Sequence, residues 1–382
     1  MVNVLWYYAI GFVLIWTISL LFRKHLKIDI EGPLIMRRTG KLRDLIESIA
    51  QKSPKFWRWS MNVGIPVAVL FMIVTLGLLI IALQNLNQAQ VSLIIPGVQV
   101  PGSPIFVPFS YGILALITVI VVHEFGHGII ARMEKIRIKS IGVGILAIIP
   151  MAFVEPNEED IEKSSRLSKL RVFSAGSIFN FGFAAIALLL FYILSLFIIP
   201  IAFDSSMEIM SVVPNSPSAG VLQPGMIIQN INGYKITDLN SFNKATGSVK
   251  VGDLVTFQTN EGTFTVKAGP NPSNPKMHFF GISSQFNLYP KNGTTKTFGS
   301  TLPWILIDLT TLLQWIFVLN FGIGSFNLLP IGPLDGGQIF RELLSYVTGQ
   351  NVVKTITNFM SIFSIALIVI NVVYPFIHSG VI

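Results

Sequence analysis

The sequence contains no cysteine. That excludes a disulfide framework and any zinc site built on thiolates, so a metal held here would rest on imidazole and carboxylate. Charge is scarce as well. Only 12% of the 382 residues are Asp, Glu, Lys or Arg, against 52% hydrophobic, where a soluble globular chain carries roughly 25% charged residues. The runs 59–122, 172–203, 309–334 and 355–382 hold no such residue at all. The net charge of +8 is spread along the flanks of these apolar runs. It therefore reads as membrane topology, and nucleic-acid binding is not expected.

At about 20 apolar residues per crossing, the runs predict six spans, near 3–22, 62–83, 109–131, 172–199, 304–327 and 356–377. The first lacks a basic leader region and a cleavage site and reads as a retained helix. Lysine and arginine then orient the chain. The loop 23–58 holds ten of them and the loop 132–171 holds eight, whereas 84–108 holds none. The two basic loops are predicted to be cytoplasmic, which places both termini and the region around 203–300 outside. The chain is expected to be an integral protein of the cell membrane in contact with lipid.

The third span ends in His123-Glu124-Phe125-Gly126-His127. On a helix, positions i and i+4 share a face, so His123 and His127 can direct two imidazoles at one zinc ion. Glu124 is turned roughly 100° away, where it can serve as general base toward a water instead of ligating the metal. Arg132 marks the cytosolic end of this span, and His123 lies nine residues earlier, about 13 Å deeper along a helix. Ionisable groups at that depth mark a functional site. Single histidines such as His25, His278 and His378 carry no such pattern.

A catalytic zinc needs a third protein ligand and an open position. Asp308 opens the fifth span on the outer side, tens of ångströms from the His pair along a continuous helix. Glu155, Glu158, Glu159 and Asp160 read as a solvated charge run. Asp335 follows the fifth span in NLLPIGPLDGG (327–337), where two prolines and three glycines break the helix. Non-helical backbone at membrane depth is tolerated mainly where it lines a cavity. The matching depth selects Asp335 as the ligand.

HEFGH in one membrane helix and NLLPIGPLDGG in a later one resemble the two signatures of the site-2 protease family, intramembrane zinc metalloproteases. The resemblance implies one zinc held by His123, His127 and Asp335, with Glu124 as catalytic acid and base. AGSIFN (175–180) in the fourth span is similar to the family's Gly-Pro-x-x-Asn motif, with Ser177 where the family has proline and with Asn180 matching. Asn180 and Asn327 would be polar groups near the site. They either hold the water or the substrate carbonyl, or bond between helices.

Residues 136–154, IRIKSIGVGILAIIPMAFV, are too interrupted for a span; their β-branched and Gly-rich character predicts strands at the membrane edge. In the family, a sheet here is thought to accept substrate as an added strand. The outer region, from 208 to about 286, reads as short strands between turn signals. Its run VPNSPSAGVLQPGMIIQNING (213–233) resembles the PDZ domains of bacterial and archaeal proteases, which bind peptide ends by strand addition. Residues from 285 to 301 read as a linker.

The resulting expectation is a polytopic α-helical membrane protein with a small membrane-associated β segment and an inserted extracytoplasmic α+β PDZ-like domain. Residues 1–108 hold two N-terminal spans, 109–202 the first part of the catalytic core, 203–290 the PDZ-like domain, 291–302 a linker and 303–382 the second part of the core. The expected activity is zinc-dependent cleavage of transmembrane protein substrates, after a first cut by another protease. A membrane scaffold acting through the PDZ-like domain is the alternative, and a zinc transporter lacks the chain of intramembrane ligands it would need.

Overall fold

A computed structural model describes residues 4–86, 94–100, 103, 105–146 and 149–378. Residue 3 of the first expected span, parts of the 84–108 loop, Ala147 and Ile148 of the expected strand segment, and the side chain of His378 lie outside the described residues. Residues 192–310 form one compact unit and the remaining described chain the other. Among the described residues six helices are long and apolar enough to cross a membrane, the number expected from the uncharged runs.

Helix α1 (Val4–Leu21) is apolar on every face, and Ser19 is its one buried residue. The following loop is not merely basic, as expected, but folded. Strands β1 (Asp29–Glu31) and β2 (Leu34–Thr39) form a hairpin closed by Gly32-Pro33. Gly32 has φ +57, at the turn position where a two-residue hairpin favours glycine. Helix α2 (Lys41–Lys52) turns Ile46 and Ala50 fully inward. Helix α3 (Pro54–Ala82) begins eight residues before the expected span and buries Met61, Gly64, Ala68, Met72 and Leu79. That spacing of three, four or seven residues is one helical stripe.

Helix α4 (Phe109–Met133) carries the HEFGH sequence, and strands β3 (Ile138–Leu146) and β4 (Ile149–Pro156) follow. The expected strands are therefore present, in a four-stranded antiparallel sheet of order β1-β2-β3-β4. Helix α5 (Glu158–Lys163) is capped by Asn157, whose side chain accepts from the Asp160 N–H. The acidic run is only partly a solvated face. Asp160 receives two hydrogen bonds from the Arg137 side chain, at 2.7 and 2.8 Å, and Glu155 receives one from Ser140 at 2.7 Å. Helix α6 (Arg166–Ile193) runs through Ser177 without a break. Ile46, Ala50 and Met61 share one core with Ile129, Ile136, Ile141, Val154 and Val172, so packing does not divide the chain at 108.

The unit 192–310 holds a short helix α7 (Ile199–Ala202), strands β5 (Phe203–Val212), β6 (Ile227–Ile231) and β7 (Tyr234–Lys235), helix α8 (Leu239–Thr246), strands β8 (Leu254–Thr259), β9 (Gly262–Lys267), β10 (Gly269–Asn271), β11 (Asn274–Phe279) and β12 (Ile282–Pro290), and helix α9 (Asn292–Phe298). Its main sheet runs β12-β5-β6-β8-β9, with β7 paired to β6. The turn signals act as their chemistry demands. In 223–226, Gly225 takes φ +92 and the Met226 N–H donates to the Gln223 carbonyl, a turn with Pro first and Gly second. Asn232 and Gly233 both have positive φ, as the tight β6–β7 hairpin requires. Residues 285–301 are not a linker: β12 pairs along β5 from Val212 to Phe203, and α9 follows.

The chain then enters α10 (Leu302–Asn327), breaks at 328–334, and continues in α11 (Asp335–Leu344) and α12 (Gln350–His378). The break is buried: Leu328 and Leu329 are fully covered. Leu328 packs with Ala68 and Met72 of α3, and Leu329 and Ile331 pack with Leu79. Helix α3 thus supports the irregular segment that precedes Asp335.

Candidate metal centre

The three side chains that can hold an ion converge from two elements. His123 and His127 come from one face of α4, and Asp335 from the first residue of α11; their ligand atoms all lie within 4.8 Å of one another. Nε2 of His127 is 3.2 Å from Nε2 of His123. Carboxylate oxygens of Asp335 lie 3.5 Å from Nε2 of His123 and 3.3 Å from Nε2 of His127. Donors bound at 2.0–2.2 Å in a tetrahedral zinc site stand roughly 3.3 Å apart. Each imidazole thus approaches a different oxygen of Asp335, and the three side chains are close enough to share one ion. Asp308, near the start of α10, is not in this group.

The outer contacts favour ring forms that leave these nitrogens free. Nδ1 of His127 lies 2.8 Å from the Val172 carbonyl, so it carries the proton and its Nε2 lone pair faces the cluster. The Asn180 amide lies 3.4 Å from Nδ1 of His123. Its Oδ1 is buried with no partner, and the two ends of an amide exchange by a simple flip. With the oxygen turned to the ring, His123 donates from Nδ1, and Nε2 again points a lone pair at the cluster. Asn180 therefore sits beside the first histidine. Asn327 ends α10, partly exposed, and makes no hydrogen bond to the cluster among the described residues.

Two neighbours in α6 were not singled out for a role by the sequence. Ser177 donates to Asp335 Oδ2 at 3.3 Å and is fully buried, which a proline in its place could not do. Gly176 faces both rings. A Cβ built on it would stand 2.5 Å from Cε1 of His123 and 2.5 Å from Nε2 of His127. Only a residue without a side chain lets α6 approach this closely. Gly176 lies inside the AGSIFN motif, but its close approach to the rings is a tertiary fact that the motif alone does not carry.

Glu124 stands apart from the three donors, as its position one residue on predicts. Its Oε2 accepts a hydrogen bond of 2.8 Å from the Val154 N–H of β4. That N–H therefore points away from β3, and β4 is the free edge of its sheet. Alternation gives Ala152 and Pro150 the same outward orientation. The edge offers the Ala152 N–H and C=O, the carbonyls of Pro150 and Val154, and no donor at Pro150.

Comparison with known proteins bears on the family of the chain. An uncharacterized protein of Methanocaldococcus jannaschii is 25% identical over 256 residues, covering 62% of this chain and 59% of its own length. The chain thus spans less than two thirds of that relative. The sequence also matches Peptidase family M50 over residues 111–371, more than half of its length. With its six apolar helices and its His-His-Asp group, the chain belongs to peptidase family M50, the site-2 protease family of zinc-dependent intramembrane metalloproteases.

Proposed function

We propose that this protein is an intramembrane zinc endopeptidase with His123, His127 and Asp335 as its metal ligands and Glu124 as its acid–base residue. The observation that carries the reading is the meeting of two structures: three donors close enough to share one ion, and a carboxylate held at the free edge of a strand. Zinc bound there would polarise a scissile carbonyl and lower the pKa of water. Glu124 takes the proton of the attacking water and passes it to the leaving amine. Asn180 holds the His123 ring in its ligating form.

The substrate class follows from the depth of the site. A peptide bond inside a helix is shielded, and its carbonyl is already hydrogen-bonded, so a transmembrane substrate must unwind before cleavage. The Ala152 N–H and C=O supply partners to the extended backbone by strand addition. The unit 192–310 is read as a PDZ-like domain outside the membrane, binding peptide ends left by an earlier cut. On this reading both termini also lie outside, and the site faces the cytosolic half.

The test uses purified protein and a single-span reporter substrate, with and without a zinc chelator, beside Glu124→Gln. Cleavage should vanish with the chelator. Glu124→Gln should retain zinc yet lose on the order of 10²–10⁴-fold in rate, the usual contribution of a positioned acid or base. Wild-type cleavage by Glu124→Gln would remove the mechanism.

A further inference from the structure

A cavity of about 350 Å³ lies one helical turn before Glu124, a size typical of small binding pockets. Ile120 and Val121 of α4 line it, and on a helix these positions share the face of Glu124. Pro150 and Ala152 of β4 line it too, four and two residues from Val154, whose N–H meets Glu124 at 2.8 Å. The cavity thus lies between α4 and one face of the β2-β3-β4 sheet, and it reaches the edge strand β4 at Pro150 and Ala152.

Strand β3 adds Val143 and Ile145, and part of the wall comes from outside the region that matches the family: Ser19 at the end of α1, and Ile35 and Arg37 on β2. Helix α1 meets the start of α4 near its own start and lines the cavity with α4 near its end. Tyr7 and Tyr8 meet the Phe109 ring at 5.8 and 5.5 Å, and the Tyr8 hydroxyl donates to the Pro96 carbonyl at 2.8 Å. One end of α1 is therefore tethered, while Ser19 near the other end is the helix's one buried side chain. A lone buried polar residue on an otherwise apolar helix marks the side that faces protein.

We propose that α1 is a wall of the substrate channel. The cavity receives apolar side chains of the unwound substrate on one flank of the scissile bond, and Ser19 limits their size. The occupant is a peptide segment, because Ala152 lines the cavity and turns its N–H and C=O outward at the β4 edge. In a membrane such groups require hydrogen-bonding partners, which a lipid tail cannot supply. This inference rests on the endopeptidase reading above.

The absence of cysteine makes the test direct. Ser19→Cys and, as control, Leu14→Cys, which is 54% exposed on the same helix, are each placed in a Glu124→Gln background. The probe is a single-span Leu/Ala peptide with a central Asn-Pro pair and one cysteine stepped along it, its cleavage site mapped with wild type. Disulfide crosslinks should form from Ser19→Cys with positions on one flank only, and not from Leu14→Cys. In parallel, Ser19→Phe in the otherwise wild-type enzyme should lower the kcat/KM preference for Leu over Ala on that flank by about tenfold. Equal crosslinking from both positions, or an unchanged Leu-to-Ala ratio in an active Ser19→Phe variant, would overturn the proposal. If wild type cleaves no probe, the endopeptidase reading fails instead. The crosslinks, read along the whole probe, then decide the channel on their own: confinement to one stretch supports it and none from Ser19→Cys refutes it.

Discussion

Gly176→Ala adds one methyl group and should disable the metal centre. In an exposed helix the exchange is favourable by about 1 kcal/mol, from propensity alone. At Gly176 the new Cβ would lie 2.5 Å from Cε1 of His123, 2.5 Å from Nε2 of His127 and 2.6 Å from Nε2 of His123. Ordinary contact needs about 3.5 Å, so roughly 1 Å must be found. The rings cannot give it freely, since His127 is held to the Val172 carbonyl and His123 to Asn180. Either α6 retreats, taking Ser177 and Asn180 with it, or the imidazoles rotate out of ligating geometry. Overpacking of this kind costs about 1–3 kcal/mol of stability, and a 1 Å misplacement about 10²-fold in rate. Zinc affinity, measured by competition with a chelator, should fall by about 10–100-fold, and kcat/KM on a transmembrane reporter by at least as much. Gly182→Ala on the same helix is the control, because nothing lies within 4 Å of its Cβ position. A Gly176→Ala protein that binds zinc and cleaves like wild type would refute the close approach of α6 and the ligand assignment with it.

Asn180→Ala should reduce zinc affinity by about 10–100-fold while leaving the helices intact by circular dichroism, because it removes the partner that orients His123. Arg171 and Glu134 form a buried pair at 2.8 Å, with Asn62 accepting two further bonds from Arg171. Glu134→Gln should therefore destabilise the protein by about 3–5 kcal/mol, read as a lowered Tm in detergent, and pairing it with Arg171→Met should restore much of that loss. The hydrogen bonds from Arg137 hold the Asp160 carboxyl down to about 2. Its contribution to stability is then complete above the ordinary carboxylate value near 4 and is lost as pH falls through about 2. A carboxyl carbon titration should place the Asp160 midpoint there and return it toward 4 in Arg137→Ala; an unmoved midpoint would show that Arg137 is not the cause.

What could be read from the sequence, and what could not, divides along physical lines. The six long apolar helices and the His123–His127 pair follow from periodicity and length within single elements, and both are present among the described residues. Asp335 was reachable because depth along a helix is a simple sum. The hairpin 29–39 and helix α2 were missed because ten basic residues in the loop 23–58 dominate its composition. Yet Leu42, Ile46, Ile49 and Ala50 keep the spacing of one helical face. Strand β12 was read as linker because its partner β5 lies some 80 residues earlier, and a half-buried polar strand such as ISSQFNLYP has little local signal. Its pairing is a tertiary fact.

The same reasoning explains the two N-terminal spans, which lie outside the family match. A composition of apolar residues says that α1 and α3 cross a membrane and says nothing of what they face. Their buried positions do. On α3 these form a stripe that includes Gly64, whose Cβ position stands 3.1 Å from Ile178 of α6, and Ala68 and Leu79, which cover the 328–331 segment. A helix packed against both the Gly176 helix and the approach to Asp335 fixes two of the three elements of the metal centre. On α1 the buried list shrinks to Ser19. A helix with one inward residue contributes little to rigidity, so its value lies in what that residue borders: the apolar cavity lined by Ile120 and Val121, one turn before Glu124.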